Sequence, residues 1–426
     1  TSTFSDGMMH YYIKEVNRPA NSNVTANYVI TPETGKTEND YKNQTVPGND
    51  TYTGYTHGIF KNDKKYTEMV TGEFPANLKD QTITFNLILQ FPDNNENQDS
   101  EKGKTFNGKI VINHELTISE YIADLDLTKN GLEIDETKDK NLRYVGATPK
   151  NYLKFNDETW RIVGVFNNIT TIDDNGNEKK ESLVKIIRDE RIGSYSWDSS
   201  SSDINDGYGI NEWSQADLMY ELNCDGTSSS KYCREDIPNG YLSNITNGTV
   251  IWYNDTNNIQ GATYDYSKNI KKGYINYIAT ARWNLGSASN GSSSLNSYKE
   301  ERGTNHISNP SDGISRSNIW DGKVALMYPS DYGYASTDSL CRNNMSSQTN
   351  NAYNCQNNNW LFNGTYQWIL SARNNSETYL FNYTNKGWMA NVKASSSSSV
   401  RPTIYLKSDI VIAGGTGEKG DAYTIE

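Results

Sequence analysis

The sequence is poor in histidine, cysteine and apolar residues. The four His, at positions 10, 57, 114 and 306, are scattered. None lies in a Gly-x-Ser-x-Gly or Cys/His setting, so nucleophile–base catalysis has no candidate pair. A zinc protease needs two His one helical turn apart with a Glu beside the first. His114-Glu115 supplies the first half only, because position 118 is Ile. The four cysteines form two close pairs, Cys224 with Cys233 and Cys341 with Cys355. No Cys-x-x-Cys redox motif occurs, and no His stands beside the pairs to complete a zinc site. In an oxidising compartment each pair closes a polar loop as a disulfide. No apolar run is long enough to span a bilayer. Positive charge is scattered and the net charge is -12, which argues against nucleic acid as a partner. No calcium loop has its ligands in register, neither around Gly131 nor at Asp173-Asp-Asn-Gly-Asn177. No metal or cofactor is expected.

What is present is aromatic and polar. The 426 residues suffice for two or three domains. Only 35% are hydrophobic, yet 30 are Tyr, which separates the chain from disordered sequences. The Tyr, Thr, Asn and Gly bias suits a β-rich extracellular protein with long polar loops. The chain begins at Thr1, which a removed signal peptide or an engineered start explains. The expected location is secreted, extracellular or on the cell surface.

Residues 1–115 read as a β domain. Tyr11–Val16 and Asn27–Ile30 are short strand candidates. In Asp80–Phe91, the alternation of Ile83, Phe85, Leu87, Leu89 and Phe91 marks one buried face. Pro92-Asp-Asn-Asn then turns the chain. Phe91-Pro-Asp, Glu96-Asn-Gln98, Gly103-Lys-Thr-Phe106 and Gly108-Lys-Ile110 resemble the end of the TasA/camelysin family. That resemblance implies a jelly-roll-like β-sandwich and secreted fibre subunits joined by strand addition. A sheet edge offers unpaired N–H and C=O groups to an incoming strand. The candidate donor is Thr1–Val16, chiefly Met8, Met9, His10, Tyr11, Tyr12 and Ile13. The plainer alternative is an edge strand of their own domain.

Residues 116–143 read as an acidic linker, with Asp124, Asp126, Glu133, Asp135, Glu136 and Asp139 as a solvated run. The next domain, 144–426, opens with a hairpin. Trp160–Phe166 and Leu183–Arg188 are joined across the Asp-Asn-Gly turn. Trp213–Asn223 is the best helix, with Ser214 as cap. A second helix is expected across Ile270–Trp283. Gly286–Ser317 reads as a long surface insertion. Trp320–Tyr328 returns to strand. Gly414-Gly-Thr-Gly-Glu-Lys-Gly lacks the Lys-Ser/Thr end of a phosphate loop.

Between two strand-like ends, Trp360–Ser371 and Val400–Leu406, the side chains are mostly Asn, Ser, Thr, Tyr, Lys and Arg. Tyr379-Leu-Phe-Asn-Tyr383 and Gly387-Trp-Met-Ala-Asn-Val392 suggest a ribbon turning at Thr384-Asn-Lys-Gly387. Tyr and Trp give contact area at low entropy cost, and Ser and Asn give adaptable hydrogen bonds, a mixture suited to binding. Ser395–Ser399 reads as a flexible loop. Trp368-Ile-Leu-Ser and Val400-Arg-Pro-Thr-Ile-Tyr-Leu resemble C-type-lectin-like domains of the formylglycine-generating-enzyme-like branch. Asn151–Val165, Trp213–Leu222 and Trp320–Tyr328 extend the resemblance over roughly the last two-thirds of the chain. It implies an α+β lectin-like fold in a surface protein of Gram-positive gut bacteria. It does not carry that branch's activity, since no reactive cysteine pair matches. The calcium-binding lectin motifs are missing too, with Trp252-Tyr-Asn-Asp255 a partial echo.

The chain is therefore expected to be mostly β with minor α. The expected function is a filament or surface protein that self-assembles and displays a domain for a host or microbial glycan or protein. The candidate face is Arg373, Asn374, Tyr379, Asn382, Tyr383, Asn385, Trp388, Asn391 and Lys393. Strand alternation turns about half of these inward. A purely structural matrix subunit is the alternative, and an extracellular carbohydrate-active enzyme a third.

Overall fold

In the computed structural model the chain divides into two units, residues 1–113 and 114–426. The described residues are 4–5, 7–18, 25–30, 36–61, 67, 69–73, 83–93, 97–106, 116–198, 205–252, 262–346 and 355–426. Glu96, Gly108-Lys-Ile110, His114-Glu115 and Asn254-Asp255 lie outside them, as do Thr1–Thr3 and Asp6 of the N-terminal segment. Strands dominate both units, and the helices are short.

The first unit contains β1 (His10–Asn17), β2 (Thr25–Tyr28), β3 (Thr56–Ile59), β4 (Val70–Glu73) and β5 (Thr84–Gln90). β1 is central. It pairs antiparallel with β3 on one side and β5 on the other, placing Tyr12 between His57 and Ile88. β2 pairs with β4. Met9, Tyr11, Tyr12 and Ile13 are buried, and Tyr12 packs with Val46, Tyr55 and Ile88. The edge-strand reading of this segment is thus corrected: both edges of β1 are occupied by its own unit. The face expected to be buried on β5 is also corrected. Leu89 and Phe91 are 45% and 37% exposed, because Ile88 on the other face joins the Tyr12 cluster.

In the second unit, α1 (Ile118–Ala123), α2 (Leu127–Asn130), β6 (Leu132–Ile134) and β7 (Leu142–Tyr144) come first. The long hairpin follows, β8 (Tyr152–Phe155), β9 (Glu158–Ile172) and β10 (Glu178–Arg188), then β11 (Gly193–Ser196) and α3 (Asp217–Asn223). Next are β12 (Thr249–Trp252), β13 (Ala262–Asp265), α4 (Lys272–Ile275), β14 (Ala281–Asn284) and α5 (Ser294–Glu301). β15 (Ile319–Gly322), β16 (Val324–Ala325), α6 (Pro329–Ala335) and α7 (Ser339–Asn343) lead to β17 (Gln367–Ala372). The chain closes with β18 (Tyr379–Tyr383), β19 (Met389–Lys393), β20 (Ser397–Val400), β21 (Thr403–Tyr405), β22 (Ile412–Gly414) and β23 (Thr424–Ile425).

One sheet runs β15-β14-β9-β10-β21-β16, with β7 and β8 also on β9, and a second runs β11-β20-β17-β18-β19. Trp160, Trp197, Trp213, Trp283 and Trp368 fill the core of this unit. The expected turn between β9 and β10 is made by Asp173, whose Oδ1 accepts the N–H groups of Asn175 and Asn177 at 2.9 and 2.8 Å. Both cysteine pairs are disulfides, Cys224–Cys233 and Cys341–Cys355. Among the described residues no helix is long and apolar enough to cross a membrane.

Buried charge holds the large sheet to its helices. Lys185 on β10 donates to Asp331 Oδ2 at 3.0 Å, and Arg143 on β7 donates to Asp331 Oδ1 at 2.9 Å. Arg143 Nε also donates to Asp135 Oδ2 at 2.7 Å. All four side chains are at most 2% exposed. A buried charge left without its partner costs about 3–5 kcal/mol, so these groups are held as a set.

Six expectations for this unit are corrected. Residues 116–143 are not a linker, since Ile118 and Ile122 are core and β6 and β7 join the large sheet. Asp135 is buried rather than solvated because Arg143, Thr137 and Asn141 satisfy it. Of Ile270–Trp283 only Lys272–Ile275 is helical, because Ala281 and Trp283 alternate inward and Trp283 pairs with Trp320 across β14 and β15. Gly286–Ser317 contains α5, whose Ser297, Tyr298 and Glu301 are buried, and Ser395–Ser399 leads into β20, paired with β11. Ser214 is not the cap of α3. The Glu212 side chain accepts the Ser214 N–H at 3.0 Å, and the helix starts at Asp217.

His57 gives the first unit a pH dependence. Its Nε2 is 2.8 Å from His10 Nδ1, and its ring stacks on Tyr12 at 4.4 Å. Burial, then the neighbouring His10, lower its pKa from the ordinary 6.5 to about 4. A lowered folded-state value gives stability that is present above pH 6.5 and lost as pH falls through about 4. Thermal unfolding of the first unit should therefore weaken across that window, and His57→Gln should flatten the slope. Identical pH curves for the two proteins would contradict this assignment.

Candidate functional site

The expected ribbon is present. β18 and β19 pair antiparallel from Tyr379↔Lys393 to Tyr383↔Met389. Thr384 N–H donates to Trp388 O and Gly387 N–H to Thr384 O, both at 2.9 Å. Gly387 has φ +85, and a Cβ there would meet Gln356 Cγ at 2.9 Å, so the turn requires glycine. At the other end of β18, the Arg373 N–H donates to Tyr379 O at 3.0 Å and folds the 373–378 segment back.

Three of the nine candidate residues come together with a fourth that the sequence reading missed. Lys393 Nζ lies 3.2 Å from the centroid of the Tyr208 ring, and the Arg373 guanidinium lies 5.9 Å from that of Tyr379. Tyr379 and Lys393 are cross-strand partners. Tyr208 is 39% exposed. Asn374 borders this cluster, but its side chain donates to Ser289 Oγ at 2.9 Å and its N–H to Ala288 O at 3.0 Å. The arrangement offers two aromatic rings, each with a cation beside it, a pairing that attracts through the ring quadrupole.

Tyr208 projects from a tight loop. Asn205, Asp206, Gly207 and Gly209 all have positive φ. Asn205 Nδ2 donates to Gly209 O at 3.2 Å and to Asp312 Oδ2 at 3.1 Å, and Asp312 is ion-paired with Arg316 at 2.7 Å. The run Asn205-Asp-Gly-Tyr-Gly209 was the available sequence signal, since four turn residues around one Tyr leave its ring at a loop tip.

The other candidates are corrected or separated. Tyr383 is 2% exposed, stacks on Tyr332 at 3.5 Å and donates to Pro329 O at 3.2 Å. Asn382 is 3% exposed and donates to Ser398 Oγ at 2.9 Å. These neighbours point to opposite faces of the strand, and both are buried because β18 is covered on both faces at this end. Asn385 is exposed on the turn with Trp388 half-buried beside it, about 13 Å along the strand from the Tyr379 end. Asn391 is half-buried.

Beneath the Arg373 end of β17 is a cavity of about 10 Å³, lined by Trp197, Trp213, His306, Arg316 and Ser371 among others. Trp197 Nε1, Trp213 Nε1 and Ser371 Oγ are buried there without a protein partner. This is space for about one water, too small for a sugar. His306 Nδ1 is 2.9 Å from Ser287 Oγ, and burial lowers its pKa. Among the described residues no group of three His, Cys, Asp or Glu is placed to hold a metal. All four cysteines are oxidised, and neither pair presents a thiol. No family model, no curated protein and no solved structure matches the chain.

Chemical denaturation should sort the candidates by role. Tyr383→Ala should lower stability by about 3 kcal/mol, since it empties a packed site. Arg373→Ala and Lys393→Ala should each stay within about 0.5 kcal/mol of the parent. Large losses for both cations would show that they support the fold instead.

Proposed function

We propose that the chain is an extracellular bacterial surface protein. Its second unit presents Tyr208, Arg373, Tyr379 and Lys393 as a binding face, and copies associate through the first unit by exchange of β1. The observation that carries the binding reading is the pairing of two exposed or half-exposed Tyr rings with two cations on neighbouring strand ends. Tyr faces suit sugar rings, and the cations suit carboxylate or sulfate groups, so an acidic glycan is the ligand class that fits best. The two disulfides agree with an oxidising environment. The resemblance of the C-terminal segments to lectin-like domains points the same way.

Assembly rests on β1. It fills the space between β3 and β5 through backbone ladders on both sides. A second copy's β1 can satisfy the same register, which is the logic of domain swapping and of strand addition. On a pure matrix reading this assembly is the whole function. Binding to acidic glycans on an array, lost in Tyr208→Ala and Tyr379→Ala, separates the two.

Lys14 and Asn86 are register partners on β1 and β5. The double variant Lys14→Cys with Asn86→Cys should lock β1 into its own chain when oxidised. Electron microscopy should show filaments of the reduced variant and of the parent under the same mild reductant, and none after oxidation. Filaments from the locked protein would refute exchange of β1, and dispersed particles in every sample would refute the polymer.

A further inference from the structure

Lys185 and Asp331 meet in conditions unusual for an ion pair. Both side chains are 0% exposed, with Nζ 3.0 Å from Oδ2. Four rings enclose the amine, with Phe166, Tyr328, Tyr405 and Trp283 centroids at 4.1, 4.5, 5.1 and 5.7 Å. The Asp331 carboxyl is held from two further directions. Arg143 Nη1 donates to Oδ1 at 2.9 Å, and the Tyr328 N–H donates to Oδ2 at 3.0 Å. The start of α6 is fixed by buried Glu301, which accepts the Ser330 N–H at 2.8 Å and its hydroxyl at 2.7 Å.

The charges around this contact are linked: Arg143 bridges Asp331 and Asp135, and the buried Arg302–Glu301 pair lies close by. Arg143 retains Asp135 at 2.7 Å as a partner that does not involve Lys185. Replacing Lys185 and Asp331 by one neutral group leaves no stranded charge. It also removes an ion pair from a region where burying charge is costly.

We propose that Lys185 and Asp331 condense into an intramolecular amide between Nζ and Cγ, a covalent cross-link joining β10 to α6. The ammonium first passes a proton along its hydrogen bond to Oδ2, giving a neutral amine and a neutral acid. The amine lone pair then attacks Cγ, and the carbonyl π pair moves to Oδ1, where the Arg143 guanidinium stabilises the negative charge. A second proton moves from nitrogen to the Oδ2 hydroxyl. The Cγ–Oδ2 bond breaks, water leaves, and the carbonyl re-forms at Oδ1. In sum, one ammonium and one carboxylate give one amide and one water, with no oxidant or other reactant. Proximity supplies the drive, since the two atoms are held without competing water.

The environment favours the free amine and holds the carboxyl ionised, so the proton passed along the hydrogen bond makes the neutral acid only transiently. Burial first, partly offset by Asp331, lowers the Lys185 ammonium to about 8, so a free amine is accessible near neutral pH. Burial raises Asp331, but Lys185 and Arg143 bring it below its ordinary value, so the starting state is the ion pair.

The test is the intact mass of the folded full chain after denaturation and reduction of its disulfides. The expected mass is one water below that of the sequence, and a protease digest should contain a branched peptide joining the Lys185 and Asp331 segments. Lys185→Ala and Asp331→Ala should each restore the full mass. The parent protein decides the question even if both variants misfold. A full sequence mass in parent protein with both native disulfides formed would overturn the proposal. So would a one-water deficit carried by linear peptides, as a succinimide at Asp321-Gly322 would give.

Discussion

Everything in the second unit depends on where Asp331 sits. Its two oxygens serve Lys185 from β10 and Arg143 from β7, and Arg143 is shared with Asp135 at the end of β6. None of these groups tolerates burial alone. The sheet and α6 must therefore meet in one register or the charges are stranded. Glu301 adds a second tie, gripping Ser330 at the start of the same helix.

This constraint reaches the proposed binding face through α6. Tyr332 on α6 stacks on Tyr383 of β18, and the Tyr383 hydroxyl reaches back to Pro329. The Tyr332 hydroxyl also donates to Cys355 O and Gly387 O, both at 3.1 Å. Thus the helix fixes the inner strand, the turn beyond it and one end of the Cys341–Cys355 bridge. The exposed pairs at the far end of β18 and β19 inherit that rigidity. A face on paired strands is better ordered for recognition than one on free loops.

Several elements were legible in the sequence because their signals are local. The β9–β10 turn shows in Asp173-Asp-Asn-Gly, and the β18–β19 turn in Asn385-Lys-Gly387. The disulfides follow from spacing. The misread stretches share a different physics. Asp135, Glu301 and Ser297 look like surface residues, yet each is buried; Glu301 is satisfied by Ser330, 29 positions on, and Asp135 shares Arg143 with the distant Asp331. No local pattern records such pairing. Ala281–Trp283 carried a period of two, but the preceding Ile-Asn-Tyr-Ile run hid it under a helical one. For the candidate face, composition marked the ribbon that β18 and β19 form. It did not say that β18 is covered on both faces, nor that Tyr208, 185 residues before Lys393, stands beside it.

The claim that one buried charge set unites β7, β10 and α6 is tested most directly by native-state hydrogen exchange of the second unit. The amides of Arg143, Val184 to Ile187 and Tyr332 to Ala335 should exchange only with the free energy of global unfolding, as members of one cooperative block. If α6 opened at a markedly lower free energy while β10 stayed protected, the helix would be a separable element and the account would fail.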